Sequence, residues 1–290
     1  MKIIANKNNN HITAGIDIGS SNTRCSIGQV NTSNTKIKLL GVSTTPSKGI
    51  KNGIITDRDK LIETIEKVLT DAEIMANIKV TSAYLSITGE HIRSINTQAA
   101  IALNRVNGTP GNITERPIDQ TDLFQVLDLA QAVSLPVDKD ILHTIPQDYV
   151  IDTLDEIKNP VGMMGRRLEA KVHLVTAAST AINNLVSSVE ELGISVSGLV
   201  FQPIASALAT LEDDEMDLGV TLVDFGANTT NIAVYYGSSL RHSATIPIGS
   251  ASITNDIAVM LQISISEAEK IKINYGDSWS HRLSEKYPHL

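Results

Sequence analysis

Two stretches about two hundred residues apart share one chemical design. The first is Ile16-Asp17-Ile18-Gly19-Ser20-Ser21-Asn22-Thr23, and the second is Val223-Asp224-Phe225-Gly226-Ala227-Asn228-Thr229-Thr230. Each sets an Asp, one apolar residue, a Gly and small polar residues between two β-prone runs. That pattern predicts two β-hairpins with tight tips. Such a tip lets backbone N–H groups approach an anion, and its Asp can hold a hydrated Mg²⁺ beside a phosphate. A single Asp-x-Gly is commonly an ordinary turn, because both residues take turn conformations cheaply. The pair, flanked by strands on both sides, points to two lobes closing on one nucleotide.

The 290 residues, 42% hydrophobic and 19% charged, leave room for two domains. Aromatics are only 3%, so the cores must be aliphatic. A net charge of −8 argues against non-specific nucleic-acid binding and against electrostatic docking on anionic lipid. The single cysteine, Cys25, excludes an internal disulfide and reads as a small buried hydrophobe. His143 and His173 sit in β-prone runs and read as structural. No run of about 18 apolar residues suggests a transmembrane helix. Met1–Asn10 reads as a flexible polar leader of a cytoplasmic protein.

Strands are expected at Ile12–Ile18, Arg24–Val30 and Lys36–Val42, then a loop from Thr45 to Asp57 and a helix over Leu61–Met75. After a strand at Val80–Thr88 the character changes. A strand at Ser94–Leu103, a loop at Asn104–Arg116, a helix at Asp122–Ser134 capped by Thr121, and a strand at Ile141–Ile151 read as a small insert. Arg167–Thr176 is expected to return to the first lobe, followed by a helix over Ser179–Leu192 closed by Gly193. A second lobe is expected to open with a strand at Ser195–Phe201 and a helix at Ile204–Leu211. Asp213 to Asp217 reads as a charged loop. A second three-strand meander starts at Gly219, and helices follow at Ser252–Leu261 and Glu267–Ile273. The meander therefore begins twice, at residues 12 and 219.

These residues resemble the bacterial cell-division FtsA family over nearly the whole chain. Gly15–Ser21 is similar to the family's first phosphate motif. Gly41–Asp57 (GVSTTPSKGIKNGIITD) and Tyr84–Ile92 (YLSITGEHI) resemble the segment after the third strand and the entry to the inserted subdomain, 1C. His143–Tyr149 (HTIPQDY) and Asn159–Thr176 (NPVGMMGRRLEAKVHLVT) are more specific still. The resemblance implies an α/β, actin-like (ribonuclease H-like) two-lobe fold with an FtsA-type 1C insert and an incomplete second lobe. It implies 1–85 and 166–194 as the first lobe (1A) and 86–165 as the insert. It further implies 195–250 as a partial 2A and 251–290 as the start of 2B. It also implies ATP and Mg as cofactors, self-association into polymers, and FtsZ and later division proteins as partners, the latter through 1C. The family works at the cytoplasmic face of the inner membrane, attached by a C-terminal amphipathic helix, and Ser280–Leu290 does not resemble one. An enzyme of the same superfold (a sugar kinase or polyphosphate phosphatase) and a pilus-assembly adaptor are the alternatives.

Asp17 is the expected Mg²⁺ ligand, acting through water, with Gly19, Ser20, Ser21 and Asn22 as the first phosphate cradle. Asp224, Gly226, Asn228 and Thr229 match them in the second lobe. The family's second motif has glycines where Ala227 and Asn228 stand and an Asp where Asn231 stands. Ala227 is expected to be strained if its φ must be positive, and the lost Asp leaves at most a weak ATPase. Glu269 and Lys272 lie three apart on a helix and read either as an exposed ion pair or, by resemblance, as adenosine and ribose contacts. Arg166 and Arg167 read as a solvated edge.

Overall fold

Alternating apolar positions build the first sheet. In β1 (Asn10–Ile18) and β2 (Asn22–Asn31), Ala14, Ile16, Ile18, Cys25 and Ile27 are all buried on one side, as a period of two requires. β3 (Ile37–Pro46) completes the antiparallel meander. These elements belong to a computed structural model that describes residues 10–31, 37–103 and 115–277. The expected leader, most of the loop at Asn104–Arg116 and the chain after Asp277 lie outside the described residues.

The stretch expected to be a plain loop contains a small hairpin, β4 (Ile50–Lys51) with β5 (Ile54–Ile55). The helix α1 (Arg58–Ala76) starts where Asp57 accepts from the Lys60 N–H, and it buries Leu61, Ile65, Val68, Leu69 and Ala72 against the sheet. β6 (Ser82–Ile87) then runs parallel to β1, with Leu85 beside Ile16.

The insert follows: β7 (Arg93–Ala102), β8 (Arg116–Pro117), α2 (Gln120–Gln131), β9 (Lys139–Ile151), β10 (Leu154–Ile157), β11 (Met164–Gly165) and β12 (Arg167–Ala178). Asp119, not Thr121, caps α2. Its carboxylate takes the N–H groups of both Thr121 and Asp122, and Asp122 answers with a bond to the Asp119 N–H. β12 was expected to return to the first lobe. It is instead an interior strand of a sheet ordered β10-β9-β12-β7. Leu168, Ala170, Val172 and Leu174 are fully buried in that sheet's core, and only Val175 and Ala177 reach the first core.

Next come α3 (Ser179–Glu190), β13 (Ser195–Phe201), α4 (Gln202–Thr210) and α5 (Asp213–Leu218). β13 was expected to open the second lobe. It pairs in parallel with β6, Leu199 beside Leu85, and closes the first sheet in the order β13-β6-β1-β2-β3. The reason is packing: Phe201 is buried in the first core, with Val196 and Leu199 against it. The acidic stretch is a short helix, α5, rather than a loop. A Glu212–Glu215 capping box starts it, and acidic side chains favour a helix N-terminus.

β14 (Val220–Phe225), β15 (Thr230–Tyr236) and β16 (Ser239–Ile246) form the second meander. α6 (Ser250–Leu261) and α7 (Ile265–Tyr275), the latter opened by a Ser264–Glu267 capping box, follow it. No helix among the described residues is long and apolar enough to cross a membrane.

Candidate functional site

The two hairpins open onto one cleft of about 290 Å³. Asp17, Gly19, Ser20, Ser21, Asn22 and Arg24 line it from one side, and Asp224 through Thr229 with Asn231 line it from the other. Thr88, Gln202 and Ser250 complete the wall.

The hairpins are one device in two copies. Asp17 pairs across its ladder with Arg24, and Asp224 occupies the same place opposite Asn231. The Gly19 N–H donates to the Asn22 carbonyl at 3.2 Å, and the Gly226 N–H donates to the Thr229 carbonyl at 2.9 Å. A Cβ on Gly19 would lie 2.9 Å from that Asn22 oxygen, and one on Gly226 2.8 Å from the Thr229 oxygen. Neither glycine has a positive φ, so the close approach of the strand ends dictates glycine here. Each Asp is aimed by a serine. Ser86 Oγ donates to Asp17 Oδ1 at 2.5 Å, and Ser206 Oγ donates to Asp224 Oδ2 at 2.8 Å.

The supports differ. Ser47, just past β3, donates its N–H to the Ser21 carbonyl (2.9 Å) and its hydroxyl to the Gly19 carbonyl (2.6 Å). The second tip rests on α6: the Ser250 and Ala251 N–H groups donate to the Gly226 and Ala227 carbonyls at 3.0 and 2.8 Å. Gly249 allows this contact, since a Cβ there would lie 2.5 Å from both oxygens. The expected strain at Ala227 is absent, because neither Ala227 nor Asn228 has a positive φ.

Glu269 and Lys272 pair at 2.7 Å, and both bond Thr254 of α6. Lys272 also donates to the Ser250 carbonyl at 3.2 Å. The Lys272 ammonium, followed by the Thr254 hydroxyl, lowers the Glu269 pKa. Neither residue lines the cleft; they fasten α7 to the helix whose first turn does.

Sequence reasoning missed Arg24, Ser86, Thr88, Gln202, Gly249 and Ser250. Arg24 Nη1 lies 3.3 Å from Asp17 Oδ2. Only Gly249 left a signal, a glycine between a strand and a helical run. Cys25 is buried, and burial, then the Glu73 charge, pushes its thiol up to about 11. Burial also lowers the pKa of His143, which accepts from the Phe201 N–H, and lowers His173 to about 4. Arg166 and Arg167 are half-exposed and pair with Glu115 and Glu169. A larger cavity of about 590 Å³ runs past Glu90–Ser94 and His242–Thr245 and is lined by none of the tip residues. The cleft is the better candidate because its donors and carboxylates converge.

The tip residues Ser20, Ser21, Ala227 and Asn228 lie outside the ladders, where their N–H groups suit phosphate oxygens. The described residues contain no group of three or more His, Cys, Asp or Glu able to hold a metal. A divalent ion between Asp17 and Asp224 would therefore take ligands from water and phosphate, as Mg²⁺ commonly does. The residues present fit a nucleotide with its Mg²⁺.

Comparison with known proteins gives the chain its relatives. A family model described as "SHS2 domain inserted in FTSA" matches residues 89–176, and one described as "Cell division protein FtsA" matches residues 221–288. Cell division protein FtsA of Pseudomonas aeruginosa is 40% identical over 262 residues, covering 90% of this chain and 60% of its own length. The Neisseria meningitidis protein is 38% identical over 261 residues, with the same coverage of each. The chain thus spans about 60% of the length of these relatives. The solved PilM-PilN type IV pilus biogenesis complex matches 94% of this chain and 71% of its own with a TM-score of 0.67, at 15% identity, which bears on fold alone. With its insert and its second meander both matched, and 40% identity across nine-tenths of its length, the chain belongs to the FtsA family of cell division proteins and shares its actin-like fold.

Proposed function

We propose that the chain is an ATP-binding, actin-like scaffold of cell division. The observation that supports this most is the pair of matched hairpins facing one cleft in a member of a cell-division family. In this reading Gly19, Ser20, Ser21 and Asn22 cradle phosphate from one side, and Gly226, Asn228 and Thr229 from the other. Asp17 holds Mg²⁺ through water, and Asp224 faces it. ATP with Mg²⁺ supplies the charge that draws the two lobes together. Glu269 and Lys272 act on the nucleoside side through α6, whose first residue, Ser250, lines the cleft. The scaffold polymerises, links FtsZ filaments to the cytoplasmic face of the inner membrane, and recruits later division proteins through the insert.

Titration with a fluorescent ATP analogue in Mg²⁺ tests the site. Tight binding by the wild type and weakened binding by Asp17→Ala are expected; equal binding by both would remove Asp17 from the site. Sedimentation with purified FtsZ polymers tests the partner, and a chain that stays in the supernatant would take FtsZ out of the reading.

A further inference from the structure

The strand β16 bonds a residue that lines the cleft and, from the same face, the insert, and it does so with alternate residues. At the cleft end, Asn231 Oδ1 accepts two hydroxyls, Thr88 Oγ1 and Thr245 Oγ1, each at 2.9 Å. Thr88 and Asn231 line the cleft, and Asn231 is 2% exposed. Thr245 belongs to β16 and pairs with Asn231 in the ladder. Two residues earlier on the same face, Ser243 Oγ meets His173 Nε2 of the insert at 2.9 Å, and the Ser243 carbonyl accepts from Ser94 Oγ at 2.6 Å.

The insert end of β16 is built around a bulge. The ladder with β15 slips at Arg241, which leaves that residue unpaired and re-aims it. The Arg241 carbonyl accepts from Asn96 at 3.0 Å, and its guanidinium pairs with the buried Asp148 of β9. No strand ladder joins β16 to the insert among the described residues. The seam is made of side-chain bonds to a strand edge, and such bonds can be re-made without unfolding a sheet.

We propose that β16 couples occupancy of the cleft to the insert, through Asn231, Thr245 and Ser243. This rests on the reading of the cleft as a nucleotide site. Asn231 stands where a ligand at the second tip must be felt, since it faces Asp224 across the ladder. Its carbonyl oxygen is shared by a threonine from the first lobe and one from β16. A ligand that draws the tips together changes how that oxygen is shared, and Thr245 carries the change to Ser243 and the insert. By linkage, whatever stiffens the insert seam alters nucleotide affinity by the same factor. The direct measurement of such coupling is the response of the insert to a ligand in the cleft.

Hydrogen–deuterium exchange of the full chain, with and without MgATP, provides that measurement, with ATP affinity measured in parallel. Saturating MgATP is expected to slow exchange at β7 and β12 by about fivefold, the weak end of usual coupling. Thr245→Val keeps the side-chain shape and removes the hydroxyl. It is expected to bind ATP within about threefold of the wild type and to lose the slowing in the insert. Ser243→Ala, which cuts the seam from its other side, is expected to lose it as well. ATP binding with no change in the insert, or full slowing in Thr245→Val, overturns the coupling and leaves the cleft reading standing. Absence of ATP binding overturns both.

Discussion

The two hairpins have the same backbone and different foundations. The first tip is held within its own lobe: Ser47 beside β3 clamps its carbonyls, and Ser86 of β6 aims Asp17. The second tip is held by α6 and β16, while Ser206 of α4 aims Asp224. α6 caps its carbonyls with two N–H groups, and β16, itself bonded to the insert, fixes Asn231. Asp17 stands on an interior strand, flanked by β2 and β6, whereas Asp224 stands on β14, an edge. Tip chemistry is therefore a local property of about eight residues, but tip placement is not. The first lobe presents its half ready-made, and the second half is set by its neighbours.

The sharpest way to break this contrast is Gly249→Ala. A methyl group there meets two backbone oxygens at 2.5 Å and neither can move without distorting the second tip. A loss of about 3 kcal/mol is expected, at the upper end for overpacking. Gly19→Ala and Gly226→Ala meet one oxygen each, and about 1–2 kcal/mol is expected for either. Urea unfolding at constant slope measures all three. A Gly249→Ala protein as stable as Gly226→Ala would show that α6 is not what seats the second tip.

Acid should loosen the second foundation before the first. Burial, and then the nearby His242, lowers His173 from the ordinary 6.5 to about 4. The folded pKa lies below the unfolded one, so the unfolded chain takes up the extra proton between them. Stability is thus full above pH 6.5 and falls as pH drops toward 4, by about 3 kcal/mol for this group. His91 and His143 are also lowered, chiefly by burial, and contribute slope of the same sign. His173→Gln should flatten the profile in this window without abolishing it. An unchanged slope would mean that the seam at Ser243 does not depend on a neutral imidazole.

Much of this was legible beforehand, and what was not has a common cause. Both meanders, α1 with its buried face, and both tips follow from patterns that local sequence carries. The misassigned strands, β12 and β13, were placed correctly along the chain and given the wrong partners. Strand patterning says which side chains are inside, not which sheet they are inside. The acidic stretch read as a loop because its helix depends on a capping box rather than on apolar spacing. Arg24 was visible only as a charged residue in a strand, and Ser86 and Thr88 as polar ends of a strand. Their roles come from elements brought together across 69 and 143 residues.

The ligand should feel the difference between an interior and an edge carboxylate. Asp17→Ala is expected to reduce Mg²⁺-dependent ATP affinity about tenfold, the low end for losing an outer-sphere metal partner. Asp224→Ala is expected to reduce it about threefold, because an edge strand holds its carboxylate less rigidly and that carboxylate is less well placed beforehand. Titrations at several Mg²⁺ concentrations separate metal-linked losses from others. Equal losses would make the two halves equivalent despite their foundations.

The smallest effect bears on the tips themselves. Where relatives of the motif have glycine, this chain has Ala227, and a position needing positive φ would make that alanine a source of strain. Ala227 has no positive φ, and Ser20, at the matching place in the first tip, has none either. Glycine then offers no relief at either site and only adds freedom to the unfolded chain. Ala227→Gly and Ser20→Gly should each lower stability by about 0.5 kcal/mol. Thermal unfolding of the two variants beside the wild type is enough to compare them. Were Ala227→Gly instead more stable by a similar amount, the second tip would be strained after all. The two hairpins would then differ in backbone as well as in support, and the cleft would have one relaxed wall and one loaded one.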